Sequence, residues 1–258
     1  MLVWLLVRDR YGQAAADRAT ALVFCFPGAF VLSMTYSETL LIPLTAGCLL
    51  ALGKRRWVLA GVLAALTTAT DPAGVAVIVP CVWAAAVALK TRQDGKRDWR
   101  SLAAPVLSPA GVLGYFAYLW AHTGTPLAWF KVERYGWQST ATPLAIWDQL
   151  HLFFQNGFRY PNYTAMAFGF FVAIPVAAYA IWKRLDGTWL SYGLAVFAIA
   201  LLTPPRGFMP RPFLHAFTLI AFVGVGLRRT WFTAVLVLSA LLMAAVAVVS
   251  LGSIGLTA

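Results

Sequence analysis

Residues 19–53 read ATALVFCFPGAFVLSMTYSETLLIPLTAGCLLALG and contain a single charged side chain, that of Glu38. As one helix this stretch would be about 50 Å long, whereas the hydrocarbon core of a bilayer is roughly 30 Å thick. The stretch therefore has to turn within its length, and Tyr36-Ser37-Glu38 is the polar point near its centre. It predicts two helices joined by a turn that keeps the Glu38 carboxylate out of the hydrocarbon, where a charge is costly.

The rest of the chain repeats this pattern of long apolar stretches. Of its 258 residues, 61% are hydrophobic and 11% charged, and the mean hydropathy is +0.75. These values lie far from those of soluble globular domains. Thr70-Asp71-Pro72 is at the centre of the stretch 57–89, and a Pro-rich turn with Arg206 and Arg211 is at the centre of the stretch 188–227. Both are helix-breaking segments, so we expect a turn at each.

The sequence thus predicts an all-α fold, a polytopic membrane helical bundle that forms one transmembrane domain over residues 1–258. Residues 1–7 are expected to be the stump of a further helix. The nine full spans are expected near residues 19–35, 38–53, 57–70, 73–89, 102–120, 164–182, 188–203, 211–227 and 230–250.

The net charge of +11 is concentrated between the apolar stretches, for example in Lys54-Arg55-Arg56 and Arg228-Arg229. Such clusters are typical of short cytoplasmic loops under the positive-inside rule. This placement indicates membrane lipids as partners and argues against a nucleic acid partner. The Ala-rich, Lys-poor composition indicates a bacterial plasma membrane as the location.

Alternation of sides then predicts where the polar turns lie. Glu38, Asp71 and the Arg206/Arg211 turn are expected on the non-cytoplasmic side, together with an external loop over residues 121–162. Within this loop, residues 146–154 alternate apolar and polar faces, which predicts an interfacial helix.

No metal site and no cofactor are expected, because the cysteines lie inside apolar stretches and the histidines are far apart, without the spacing of metal ligands. The residues concerned are Cys25, Cys48, Cys81, His122, His151 and His215.

Five short motifs occur in a fixed order: FPGAF at 26–30, YSE at 36–38, RWVLAG at 56–61, ATDPAG at 69–74 and TGTPLAW at 123–129. This order resembles the PIG-V-like family of GPI mannosyltransferases and their bacterial relatives, which belong to the GT-C glycosyltransferase superfamily. The resemblance implies a GT-C-like bundle. It also implies transfer of mannose from a polyprenyl-phosphate-mannose donor to a lipid-linked or glycan acceptor on the non-cytoplasmic face.

Such a transfer needs a carboxylate to accept the proton of the acceptor hydroxyl, cationic groups to hold the leaving phosphate and an aromatic surface for the sugar. With the resemblance, Glu38 and Asp71 become the catalytic candidates. The candidates for substrate binding are Tyr36, Ser37, Arg206, Arg211, Trp129 and Trp137.

Each candidate also has a structural alternative. Glu38 can bond the backbone of its turn, Asp71 can cap a helix, the two arginines can anchor helix ends at the headgroups, and the tryptophans can belong to an aromatic belt.

Two alternatives to a mannosyltransferase stay open. The family's acidic W-D-x-x-W-Y loop has no counterpart ahead of residue 26, and Asp71 stands where the family usually has Arg, which leaves a truncated or non-catalytic GT-C-like subunit. Polar turns that line a path across the bilayer would instead belong to a transporter or flippase.

Overall fold

A computed structural model describes residues 1–91, 97–136, 145–156, 161–202 and 211–256, and every element in these ranges is helical. The α-helices, in chain order, are α1 (Leu2–Tyr11), α2 (Gln13–Phe24), α3 (Glu38–Gly53), α4 (Trp57–Thr70), α5 (Ile78–Lys90), α6 (Ala103–Leu107), α7 (Ala110–Thr123), α8 (Ala128–Lys131), α9 (Ala145–Asn156), α10 (Pro161–Trp182), α11 (Gly187–Leu202), α12 (Arg211–His215), α13 (Phe217–Gly226) and α14 (Arg229–Leu256). Short 3₁₀ segments are Ala29–Ser33, Pro72–Val77 and Trp99–Leu102, and a π-helical turn is Val132–Gly136.

Three helical segments among the described residues are long and apolar enough to cross a membrane. They are Pro72–Lys90, Trp99–Thr123 and Arg229–Leu251, with mean hydropathies of 2.1, 1.5 and 2.7. They correspond to three of the expected spans, so the structure does not support the count of nine. For three of the other expected spans the physical reason is length: α3, α4 and α11 begin and end close to the expected positions but have only 16, 14 and 16 residues, whereas a span needs roughly 20.

The first expected span, residues 19–35, is wrong. Helix α2 begins earlier, at Gln13, and ends at Phe24. Pro27 then follows, and Ala29–Ser33 continues only as a 3₁₀ helix. Proline has no backbone N–H and disfavours the α conformation of the residue before it, so the helix stops ahead of it. The expected span 211–227 is likewise divided, at Ala216, into α12 and α13.

The described chain divides into two compact units. The first comprises Met1–Thr39, Gln149–Leu185 and Pro205–Ala258. Its centre is the packing of α2 on α13, where Gly224 lies directly against the backbone of Ala19 and leaves no room for a Cβ atom. The Arg18 Nε donates to the Gly224 carbonyl oxygen at 3.1 Å. A glycine is required at this crossing because the two helices approach so closely.

The second unit comprises Leu40–Asp148 and Asp186–Pro204. Here α4 packs against both α6 and α7. A Cβ on Gly61 would lie 2.8 Å from the Leu107 Cβ, and Gly111 lies against the Ala65 carbonyl oxygen. The Thr68 hydroxyl donates to the Ser108 carbonyl oxygen at 2.9 Å. Small residues on facing helices thus allow the close packing of these apolar helices.

The expected external loop, residues 121–162, is described in part. A helix, α9, covers the expected interfacial helix, and Trp147 and Phe154 on it are 68% and 71% exposed. Its position at the interface stays a prediction, as does the single transmembrane domain.

Candidate functional site

The Glu38 carboxylate is buried in the first unit. Glu38 is the first residue of α3, and its side chain is 0% exposed. A carboxylate in the first turn of a helix interacts favourably with the unpaired backbone N–H groups there. In an apolar surrounding a negative charge also needs a partner of opposite charge or several hydrogen bonds.

Both partners of the carboxylate come from the short helix α12. The Arg211 Nε donates to the Glu38 Oε1 and forms an ion pair with it. The His215 Nε2 lies 2.9 Å from the same oxygen. Because Arg211 and His215 are four residues apart, one turn of helix places both on the same face. Glu38 is 173 and 177 residues away from them in the chain.

The aromatic side chains around this cluster fix its geometry. The Arg211 guanidinium carbon lies 4.6 Å from the centre of the Tyr36 ring, a cation–π contact. Phe213, between the two polar residues of α12, packs edge-on against Phe170 at 5.9 Å and against the open face of Gly169. A larger residue at position 169 would displace Phe213 and with it α12.

The cluster joins one acid, one permanent cation and one titratable ring. An ionised Glu38 can only accept hydrogen bonds, so the His215 Nε2 carries the proton that points at it. The Glu38 Oε2 is buried and has no hydrogen-bond partner among the described residues. The Arg211 side chain is 30% exposed. The arrangement therefore combines a buried carboxylate that has acceptor capacity with a cation that reaches the surface.

Asp71, the second catalytic candidate, is in the second unit. Its Oδ1 accepts from the Ala73 backbone N–H at 2.8 Å, and the 3₁₀ segment Pro72–Val77 begins directly after it. This is the capping role expected of an aspartate before proline. The structure thus assigns Asp71 a structural contact, and its expected role in catalysis stays a prediction.

The other sequence candidates are only partly brought together. Tyr36 joins the Glu38 cluster. Ser37 lies beside it in the chain, half-buried. Trp129 belongs to the second unit, where its ring packs at 4.8 Å against Phe130. Arg206 and Trp137 lie outside the described residues.

His215 is the residue that the sequence reasoning missed. In the described ranges no group of three or more His, Cys, Asp or Glu side chains could hold a metal ion, and the expected absence of a metal site stays a prediction. The sequence does contain one indication of its role, the spacing of four residues from Arg211. Two polar residues one turn apart in an apolar helix share a face and tend to share a partner.

Comparisons with protein-family models, curated proteins and solved structures find no match to this chain. The family resemblance drawn from the order of the motifs stays a prediction.

Proposed function

We propose that this chain is a multi-pass membrane glycosyltransferase of the GT-C kind, in which the Glu38 cluster forms part of the site. The donor would be polyprenyl-phosphate-mannose and the acceptor a lipid-linked or glycan hydroxyl on the non-cytoplasmic face. The observation that carries the proposal is the contact of Glu38, from the YSE motif, with Arg211 of a distant segment. An ionisable group buried among apolar helices is rare, because its burial is costly, and this makes it a candidate for a functional site.

The proposed reaction is a displacement at the anomeric carbon of mannose. The Glu38 carboxylate takes the proton of the acceptor hydroxyl, the acceptor oxygen forms a bond to C1, and the bond from C1 to the phosphate oxygen breaks. Polyprenyl phosphate leaves with the electron pair. Arg211 stabilises the charge that develops on this phosphate, and Tyr36 holds the guanidinium in place.

Support for Glu38 over Asp71 as the base comes from their surroundings. The Asp71 Oδ1 holds a backbone N–H of its own turn, whereas the Glu38 Oε2 has no such partner among the described residues. The hydroxyl of the acceptor can therefore donate to the Glu38 Oε2 without breaking an existing hydrogen bond, whereas at the Asp71 Oδ1 it would compete with the Ala73 N–H.

The test is transfer of radiolabelled mannose from polyprenyl-phosphate-mannose in membranes that contain the full chain. Wild type is expected to transfer, and Glu38→Gln is expected to lose at least about 100-fold, since a general base contributes at least that much. Asp9→Asn, which removes an exposed carboxylate of the same unit, is the matched control and should keep full transfer. Protein amounts in the membrane are compared by immunoblot.

Unchanged transfer by Glu38→Gln would reject the assigned base. Absence of transfer by wild type, together with movement of a labelled polyprenyl phosphate across liposomes that contain the chain, would favour the flippase alternative. Absence of both activities would favour the non-catalytic subunit.

A further inference from the structure

The second unit contains a cavity of about 510 Å³ beside the first turn of α4. Three arginines line it together with apolar groups of two helices. Its lining includes Arg55, Arg56, Arg100, Trp57, Val58 and Leu59. None of its lining residues is among those assigned to glycosyl transfer, so a role for the cavity does not rest on that proposal.

The walls of the cavity are held by packing and hydrogen bonds. Trp57 is 7% exposed, and its indole Nε1 donates to the Asp98 Oδ2 at 2.8 Å. Arg55 is in the left-handed region with a φ of 54°, and its backbone N–H donates to the Leu52 carbonyl oxygen. This closes the end of α3 in a tight turn. Two of the three arginines therefore extend from an ordered turn.

The arginines are exposed and carry like charges. No hydrogen bond or ion pair joins the guanidinium groups of Arg55, Arg56 and Arg100 to any side chain in the part of the chain that the structure describes. Like charges around one cavity repel one another, and an anion between them relieves this repulsion. The planar guanidinium group matches the oxygen pairs of a phosphate better than any other side chain does.

Val58 and Leu59, which line the cavity, belong to an exposed apolar face of α4. Val58, Leu59, Val62 and Leu66 are 62%, 45%, 46% and 50% exposed. Their spacing of three and four residues places them on one side of the helix. Arg100, in turn, lies in the first turn of the candidate span Trp99–Thr123. A bilayer crossed by this candidate span would have its headgroups near Arg100, at the basic end of the cavity.

We propose that this cavity binds one anionic phospholipid, with the phosphate between Arg55, Arg56 and Arg100 and an acyl chain along the exposed face of α4. Charge complementarity selects an anionic headgroup. The apolar face selects a lipid over a free phosphate, because a small anion would leave the exposed leucine and valine side chains uncovered.

The experiment is native mass spectrometry of the full chain in detergent, titrated with dioleoylphosphatidylglycerol. Dioleoylphosphatidylcholine and sn-glycerol 3-phosphate are titrated in parallel. The variant Arg55→Gln/Arg56→Gln/Arg100→Gln is compared with Arg184→Gln/Arg228→Gln/Arg229→Gln, which removes the same charge from exposed positions of the first unit. Helical content is checked by circular dichroism.

Wild type is expected to retain one phosphatidylglycerol. The cavity variant should bind it on the order of 100-fold more weakly, because each basic residue near an anionic lipid contributes about fivefold. The control variant should stay within about threefold of wild type. If the triple variant does not fold, Arg100→Gln alone should weaken binding about fivefold.

Three results would overturn the proposal. Equal binding of phosphatidylglycerol by the cavity and control variants would show that only the net charge of the chain matters. Equal binding of phosphatidylcholine would remove the role of the headgroup charge. Displacement of the lipid by an equal concentration of sn-glycerol 3-phosphate would show a phosphate site without an acyl groove.

Discussion

Replacing Glu38 by glutamine keeps the shape of the side chain and removes its charge. The Glu38 side chain is 0% exposed, and that of its partner Arg211 is 30% exposed. Removing one member of a buried ion pair costs about 3–5 kcal/mol, because the other charge is left without compensation. Since part of the Arg211 side chain remains solvated, we expect the lower end, a loss of about 3 kcal/mol in the free energy of unfolding.

The measurement is a denaturant titration of the detergent-solubilised chain, followed by circular dichroism. The matched control is Asp9→Asn, because Asp9 pairs with Arg8 at 2.7 Å in a contact whose side chains are 29% and 43% exposed. Exposed ion pairs contribute about 0–1 kcal/mol. The control should therefore change the free energy of unfolding by less than about 1 kcal/mol.

A double-mutant cycle separates the pair from its surroundings. Combining Glu38→Gln with Arg211→Met removes both charges, so the double variant should be more stable than the sum of the two single effects implies, by about 1–3 kcal/mol. Equal losses for Glu38→Gln and Asp9→Asn, or a coupling below about 0.5 kcal/mol, would show that the pair is not the buried contact described above.

Two further substitutions test the second unit by the same titration. Gly74→Ala would bring a Cβ into the Thr67 carbonyl oxygen and should lower the free energy of unfolding by more than about 2 kcal/mol. The control Gly114→Ala, with nothing within 4 Å of its Cβ, should be neutral or stabilising by up to about 1 kcal/mol. Equal effects of the two substitutions would contradict the close packing at Gly74. Asp71→Ala should lower the free energy of unfolding by about 1 kcal/mol, because the cap to the Ala73 N–H is lost. Asp71→Asn should be nearly neutral in stability and should keep full mannose transfer, and loss of transfer in this variant would show that the Asp71 carboxylate is catalytic.

The structure gives the RWVLAG motif a packing explanation. Gly61, at the end of RWVLAG, lies where a Cβ would meet Leu107 at 2.8 Å and the Ala103 carbonyl oxygen at 3.0 Å. Trp57 of the same motif is held by Asp98. The order of the motifs alone does not reveal these contacts, because the contacting residues are about 40 positions further along the chain.

The helix bounds were the most predictable part of the fold. The expected spans 38–53 and 57–70 coincide with Glu38–Gly53 and Trp57–Thr70. Apolar runs, prolines and basic clusters act on their own neighbours, so a linear pattern contains what is needed to end a helix. Among the described residues the structure supports three of the nine expected spans, because several of the other apolar helices are shorter than the roughly 20 residues that a span needs.

The amino-acid sequence alone thus determined the helical class, the bounds of α3 and α4 and the candidates Glu38, Tyr36 and Arg211. Only the tertiary structure decided which of these residues meet, and it added His215 as a partner of the carboxylate. The physical reason is that a buried charge is stabilised by whichever donors the packing brings to it. For Glu38 these donors come from helix α12, more than 170 residues away in the chain.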